Sequence, residues 1–207
     1  MEDLSAKNFL RNLKDALLSK EEQAKAVYHS NTNWTNFIKK TTEEMIGLQE
    51  NGKKSVSNEY YRIDTLKYAY TDFYNTFKAK NYRQSFGDKE YLNVYNWRNV
   101  YAIEYENDSH SWTDELIKLS HIRSDLKVII AYSEWLGGQE EYLKRIAEKM
   151  SFAKVLLENC QEESLRDKWL IVFGPCRAKG KEEYDKDIIG NFVGYEMEKG
   201  EFVKIEE

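Results

Sequence analysis

Residues 99–108, NVYAIEYEND, form an apolar run that ends in carboxylates, and this run organises the interpretation of the whole chain. Side chains alternate between the two faces of a β-strand, so Glu104 and Glu106 are predicted to point the same way. Glutamate is depleted in strands, and two carboxylates on one face repel unless a positive charge lies between them, a position that a hard divalent cation suits. The same alternation assigns Val100 and Ala102 to the face of the two acids, and Tyr101, Ile103 and Tyr105 to the opposite face.

The composition is that of a globular chain with a substantial core. Its 207 residues fit one domain, although two small domains are also compatible with this length. We interpret residues 1–207 as a single domain, in which residues 71–96 form an insertion over the sheet or against a ligand. The formal net charge of -5 argues against a uniformly basic surface that wraps nucleic acid, while local basic patches can still bind phosphates.

Other sequence features bear on the compartment. Cys160 and Cys176 lack the spacing of a zinc site or of a disulfide framework. The N-terminus begins with acidic residues rather than a signal peptide, and no apolar run reaches membrane-spanning length. We therefore expect no membrane association and a cytoplasmic location, or the cytoplasm of a host cell if the protein is viral.

Hydrophobic periodicity predicts an α/β sandwich with a mixed central sheet. Helical spacing predicts two N-terminal helices, and continuous apolar runs predict strands buried on both faces. Two predicted helices come first, and strands and helices then follow one another along the chain. This order favours the α/β class. The predicted elements are helices 4–28 and 34–51, strand 59–70 with Asp64 in its middle, the strand around Glu104, helix 112–123, strand 127–132, helix 139–160, strand 169–173, and a terminal hairpin of 192–195 and 201–205 that turns at Lys199-Gly200.

Two motifs in this order resemble a known family. Arg62-Ile63-Asp64 lies on one predicted strand and Ile103-Glu104-Tyr105-Glu106 on a later one, followed by a helix and a buried strand. This arrangement resembles the core of the PD-(D/E)XK nuclease superfamily, the restriction endonuclease-like fold, over roughly residues 45–173. What raises the match above chance is that each acid falls in a predicted strand with suitable elements after it.

The resemblance implies roles for individual residues. Asp64 would correspond to the metal-binding Asp of the family and Glu104 to its second acid, both holding Mg²⁺, for which Mn²⁺ can substitute. Glu106 stands where the family usually has Lys, although some restriction enzymes of this superfamily carry Glu there. Lys118, on the following helix, would then act on the water or on the phosphate.

The family also places an additional acid on the preceding helix, near the metal. Glu44 resembles this acid, while Glu43 or Glu50 would serve equally. Many enzymes of the resembled kind dimerise, so that a homodimer acting on two DNA strands is compatible with the resemblance.

The expected function is that of a Mg²⁺-dependent nuclease that hydrolyses phosphodiester bonds of DNA. Carboxylate-bound Mg²⁺ supplies both a nucleophile at neutral pH and relief of the phosphate charge. The alternative is a catalytically inactive nuclease-like module that binds DNA or a partner protein. A third reading is an α/β interaction domain unrelated to nucleases, which would place Asp64, Glu104 and Glu106 on different faces of the sheet.

Overall fold

In the part of the chain that the structure describes, six strands pair in chain order into one mixed sheet. The computed structural model describes residues 4–48, 63–70, 97–107, 111–177 and 179–206. The strands are β1 Thr65–Tyr70, β2 Trp97–Tyr105, β3 Leu126–Ser133, β4 Trp169–Pro175, β5 Val193–Glu198 and β6 Glu201–Lys204. β2, β3 and β4 are parallel to one another, and the three remaining pairings, β1 with β2, β4 with β5 and β5 with β6, are antiparallel. The predicted α/β class with a mixed sheet is confirmed.

Helices cover both faces of this sheet. They are α1 Ala6–Leu18, α2 Glu21–Val27, α3 Asn31–Met45, α4 Trp112–Ser120, α5 Gly138–Cys160, a 3₁₀-helix Glu162–Arg166, and α6 Asp187–Gly190. α1, α2, α3 and α6 contribute to one hydrophobic cluster, whereas α4 and α5 contribute to the other. None of the helices among the described residues is long and apolar enough to cross a membrane.

The two central strands are buried along their whole length, as their continuous apolar sequences predict. In β3, Val128 and Ile130 join the cluster beneath α1 and α3, while Ile129 and Ala131 join the cluster beneath α4 and α5. β4 alternates in the same way. At roughly 25 cal/mol per Å² of apolar surface, such two-sided burial is the main stabilising contribution to the fold.

The predicted N-terminal helix 4–28 is wrong in one respect, because the structure divides it into α1 and α2. Ser19 ends α1, and its hydroxyl donates a hydrogen bond to Ala16 O at 2.8 Å. Lys20 then leaves the helical region, with φ -119° and ψ 30°. A serine side chain competes for backbone carbonyls in this way, so the apolar spacing continues through a point where the backbone does not.

The second predicted helix, 34–51, begins and ends at other residues in the structure, where it is α3. Ser30 caps α3 by accepting a hydrogen bond from the Asn33 N–H at 3.3 Å. α3 ends at Met45, and Gly47 follows with φ 69°, a left-handed conformation that commonly terminates helices. The helix therefore ends before the predicted residue 51, which lies outside the described residues.

Two predictions around β1 and β2 need correction. Asp64 lies directly before β1 instead of in the middle of a strand. In β2, Lys67 pairs with Tyr101 and Tyr68 pairs with Asn99, which leaves Val100 as the extra residue of a β-bulge. The bulge breaks the simple alternation, so Val100 packs in the cluster of Tyr101, not on the face of Glu104.

The C-terminal hairpin is confirmed. β5 and β6 are joined by Lys199 and Gly200, which have φ values of 52° and 84°. Two successive residues with positive φ are typical of a tight type I′ turn, whose twist matches that of paired strands.

Gly174 in β4 tests how tightly this core is packed. A Cβ atom at Gly174 would lie 2.7 Å from Phe192 Cζ, in a ring that is 1% exposed. Gly174→Ala is therefore expected to lower the free energy of unfolding by about 1–3 kcal/mol through overpacking. Urea unfolding measures this change, and Gly190→Ala is the matched control, since its added Cβ meets nothing within 4 Å. Equal unfolding midpoints for the two variants would contradict the packing.

Candidate functional site

Pairing of β1 with β2 brings Asp64 and Glu104 together. Thr65 pairs with Ile103, so the preceding Asp64 lies beside Glu104. The Tyr105 N–H donates to Asp64 Oδ2 at 3.0 Å, and the Asp64 N–H donates to Glu104 Oε2 at 3.3 Å. The two acids, which are remote in sequence, are thus held by reciprocal backbone hydrogen bonds at the end of β2.

Lys118 reaches this pair from α4. Its Nζ lies 2.8 Å from Glu104 Oε1, and the Glu104 side chain is only 1% exposed. Lys118 also forms a close ion pair with Glu115, one helical turn earlier on α4. The structure therefore brings together the predicted site residues Asp64, Glu104 and Lys118. It adds Glu115, which was not predicted, although its i, i+3 spacing to Lys118 on a helix could have indicated their ion pair.

The electrostatics of Glu104 follow from its burial. Burial raises the pKa of Glu104 to about 8, the nearby Glu115 and Asp64 carboxylates act in the same direction, and the Lys118 ammonium opposes them. For Lys118, burial acts to lower the pKa, but its bonds with Glu104 and Glu115 outweigh burial and leave the pKa raised. A perturbed buried carboxyl with a specific charged partner is a recognised mark of functional sites.

A second lysine lies on the other side of Asp64. Lys39, on α3, places its Nζ 3.4 Å from Asp64 Oδ1 and 5.9 Å from the centroid of the Tyr105 ring. Sequence reasoning missed Lys39, because nothing in the chain pattern indicates that α3 contacts the start of β1. Asp64 is thereby shared between a backbone N–H and an ammonium group.

Glu44 was the preferred choice for an additional helical acid, and the structure instead pairs it with Lys20. The neighbouring Glu43 contacts β1, because its Oε1 accepts a hydrogen bond from Thr65 Oγ1 at 2.9 Å. Residues one apart on a helix differ in direction by about 100°, which separates the two acids. Glu50, the remaining alternative, lies outside the described residues.

Glu106 follows the last residue of β2. Its backbone N–H donates to Ile130 O at 3.0 Å, so that the chain still runs beside β3 at this point, and its side chain is partly exposed. Its predicted role in orienting water stays a prediction.

The donor set is compatible with a hard divalent cation. Carboxylate oxygens are the ligands that Mg²⁺ prefers, and Mg²⁺ is commonly held by one or two carboxylates with water completing its coordination. Asp64 and Glu104 supply such a pair. Among the described residues, no group of three or more His, Cys, Asp or Glu side chains is placed to hold a metal.

No protein-family model matches this chain, and no curated protein or solved structure is detectably similar to it. The resemblance to the PD-(D/E)XK superfamily therefore stays a prediction from the sequence, and of its two metal-binding acids Glu104 lies within a strand whereas Asp64 lies directly before one.

The raised pKa of Glu104 predicts a pH-dependent stability. Between about pH 4.5 and 8 the folded state binds more protons at Glu104 than the unfolded state does, so the free energy of unfolding falls as pH rises. Gln cannot titrate, so Glu104→Gln should flatten this fall. Urea unfolding over this pH interval in EDTA measures the slope, with exposed Glu140→Gln as the control that keeps the wild-type slope. A slope in Glu104→Gln as steep as that of the wild type would contradict the assignment.

Proposed function

We propose that this chain is a divalent-metal-dependent nuclease that hydrolyses phosphodiester bonds of DNA. The observation that carries the proposal is the contact of Asp64, Glu104 and Lys118. Three elements that are separate in sequence converge there on a carboxylate that is 1% exposed. Burying an acid beside two other acids is costly, so their convergence favours a functional explanation over packing alone.

Asp64 and Glu104 would hold the cation through their carboxylate oxygens. When bound there, Mg²⁺ or Mn²⁺ supplies a nucleophile at neutral pH and relieves the charge on the phosphate. The backbone bonds from Tyr105 and Asp64 fix the orientation of the two carboxylates before any ligand arrives.

Lys118 would act on the substrate. Its ammonium can donate to a non-bridging phosphate oxygen or hold the attacking water, as a point charge on a flexible stem. Glu115 orients Lys118, since its carboxylate holds the same ammonium that contacts Glu104. Glu106, at the place where the resembled family has Lys, would orient the water from the end of β2.

Loss of Asp64 is the first test of this proposal. Asp64→Asn keeps the size of the side chain but removes its charge, so cleavage of plasmid and single-stranded DNA in Mg²⁺ or Mn²⁺ should fall by about a hundredfold or more. The matched control is Asp15→Asn, at an exposed position on α1, which should cleave as the wild type does. Equal activity in Asp64→Asn and the wild type would refute the site assignment.

One observation favours the second candidate, an inactive nuclease-like module that binds DNA or a partner protein. Each of the two acids already has cationic and backbone partners: Lys39 and the Tyr105 N–H for Asp64, Lys118 and the Asp64 N–H for Glu104. In that case the carboxylates would be retained as a structural ion-pair network, and no metal would be required.

Metal binding separates the two candidates. The nuclease should bind Mn²⁺ with an affinity that falls at least about tenfold in Asp64→Asn, because a carboxylate ligand is removed. Titration calorimetry with Mn²⁺ alone measures this affinity, again with Asp15→Asn as the control. Absence of binding in the wild type would favour the inactive module, and equal binding by Asp64→Asn would place the ion elsewhere.

A further inference from the structure

One side of α5 faces solvent and carries apolar surface. On its other side α5 buries residues in the cluster that it shares with β3 and β4, namely Tyr142, Ile146, Met150, Ala153 and Leu157. Phe152 and Val155 lie away from that cluster and are 54% and 51% exposed. They are two of the five large apolar side chains that are exposed among the described residues. Apolar side chains that lie together on an otherwise polar helix surface are typical of an interface.

The exposed side of α5 has the spacing of a helix-packing seam. Five exposed residues follow one another along it, Lys144, Glu148, Ser151, Val155 and Glu158, and we call them the outer stripe. Their intervals of four, three, four and three residues are those at which one helix packs along another. The outer stripe therefore fits a second helix that runs almost parallel or antiparallel to α5.

The charges of the outer stripe indicate that this second helix is α5 of another copy. When two copies run antiparallel with Ser151 opposite Ser151, Lys144 of each copy faces Glu158 of the other. A parallel pair would instead place each of Lys144, Glu148 and Glu158 opposite its own counterpart, and like charges repel. A slip of about one helical turn in the antiparallel pair would bring Glu158 opposite Glu148 or Glu141. Charge complementarity thus selects one partner, one direction and one register.

The charged ends of the outer stripe make only weak contacts within one copy. Lys144 Nζ lies 3.9 Å from Glu141 Oε2. Glu158 Oε1 lies 3.6 Å from the Nζ of Lys154, a lysine whose closer partner is Glu201. Exposed pairs at such distances contribute little to stability, so a second copy can engage both ends without breaking a strong ion pair.

We propose that two copies of this chain associate through their outer stripes, as an antiparallel α5 pair related by a two-fold axis at Ser151. The small Ser151 side chain lets the helices approach at the axis, Val155 and Phe152 supply apolar contact beside it, and charged groups form the rim. The inference does not rest on the proposed nuclease function, because the contact involves no residue of the Asp64 and Glu104 site.

The length of the contact sets its strength. Lys144 and Glu158 are about 21 Å apart along the helix axis. A single helix pair of this length makes a smaller interface than the roughly 800 Å² per partner of a typical stable complex. We therefore expect a dimer that dissociates at micromolar concentrations, and that weakens as salt screens its ion pairs.

Charge reversal followed by sedimentation equilibrium of the full chain tests the pairing. Lys144→Glu and Glu158→Lys should each raise the dissociation constant at least about tenfold, because like charges then meet at both ends of the pair. An equimolar mixture of the two variants should dimerise again, since one native and one reversed ion pair form between them. Lys25→Glu and Glu22→Lys, at exposed positions on α2, are the matched controls and should behave as the wild type does.

Disulfide cross-linking tests the register. Cys160 is exposed and Cys176 is buried, so Cys160→Ser gives a background without an exposed thiol among the described residues. In that background Ser151→Cys should form a disulfide-linked dimer under mild oxidation, because residues at the two-fold axis meet their own counterparts. Lys144→Cys is the control at the end of the outer stripe and should cross-link at least about tenfold more slowly.

Four results would each overturn the inference. They are a wild type that stays monomeric up to about 1 mM, a dimer unchanged by Lys144→Glu, a mixture of the two charge variants that stays monomeric, and equal cross-linking at positions 144 and 151. None of them bears on cleavage of DNA, so failure here is distinct from failure of the nuclease proposal.

Discussion

The buried carboxylate of Glu104 is the constraint on which the site depends. At 1% exposure it needs partners, and it takes them from the Asp64 N–H at the start of β1 and from Lys118 on α4. Removing one partner of a buried ion pair costs about 3–5 kcal/mol, whereas replacing both by apolar groups is often neutral. Packing alone would therefore be satisfied by apolar residues at both positions 104 and 118, and it does not by itself explain the acid.

A second ion pair, between the buried Lys127 and Asp167, contrasts with the pair formed by Glu104 and Lys118. Lys127 is 1% exposed, pairs with Asp167, and lies 4.8 Å from the centroid of the Trp169 ring. Burial lowers its pKa against the opposing effect of Asp167. Among the described residues Asp167 is the one acid paired with Lys127, and the pair ties β3 to the segment before β4, which is a structural arrangement. Glu104 lies near the further acids Glu115 and Asp64, so their repulsion adds to the effect of burial.

Secondary structure was predicted most accurately from the sequence where burial alone decides it. β3 and the hairpin turn at Gly200 followed from an apolar run and a turn residue, which are local signals. The break at Ser19 and the bulge at Val100 were missed, because backbone hydrogen bonding changes there without a change in the apolar pattern. The contact of Lys39 with Asp64 and that of Glu43 with Thr65 depend on how α3 rests on β1, which no local pattern encodes.

The charge of the site bears on Glu106, which stands where the resembled family has Lys. Asp64, Glu104 and Glu115 lie beside two lysines, Lys39 and Lys118. Glu106 adds a fourth carboxylate at the end of β2, so that acids outnumber lysines there. Burial raises the pKa of Glu104 and so disfavours its ionised form, whereas the Lys118 ammonium favours that form. In the proposed enzyme Lys39 and Lys118 would supply the positive charge that a lysine at position 106 would otherwise bring.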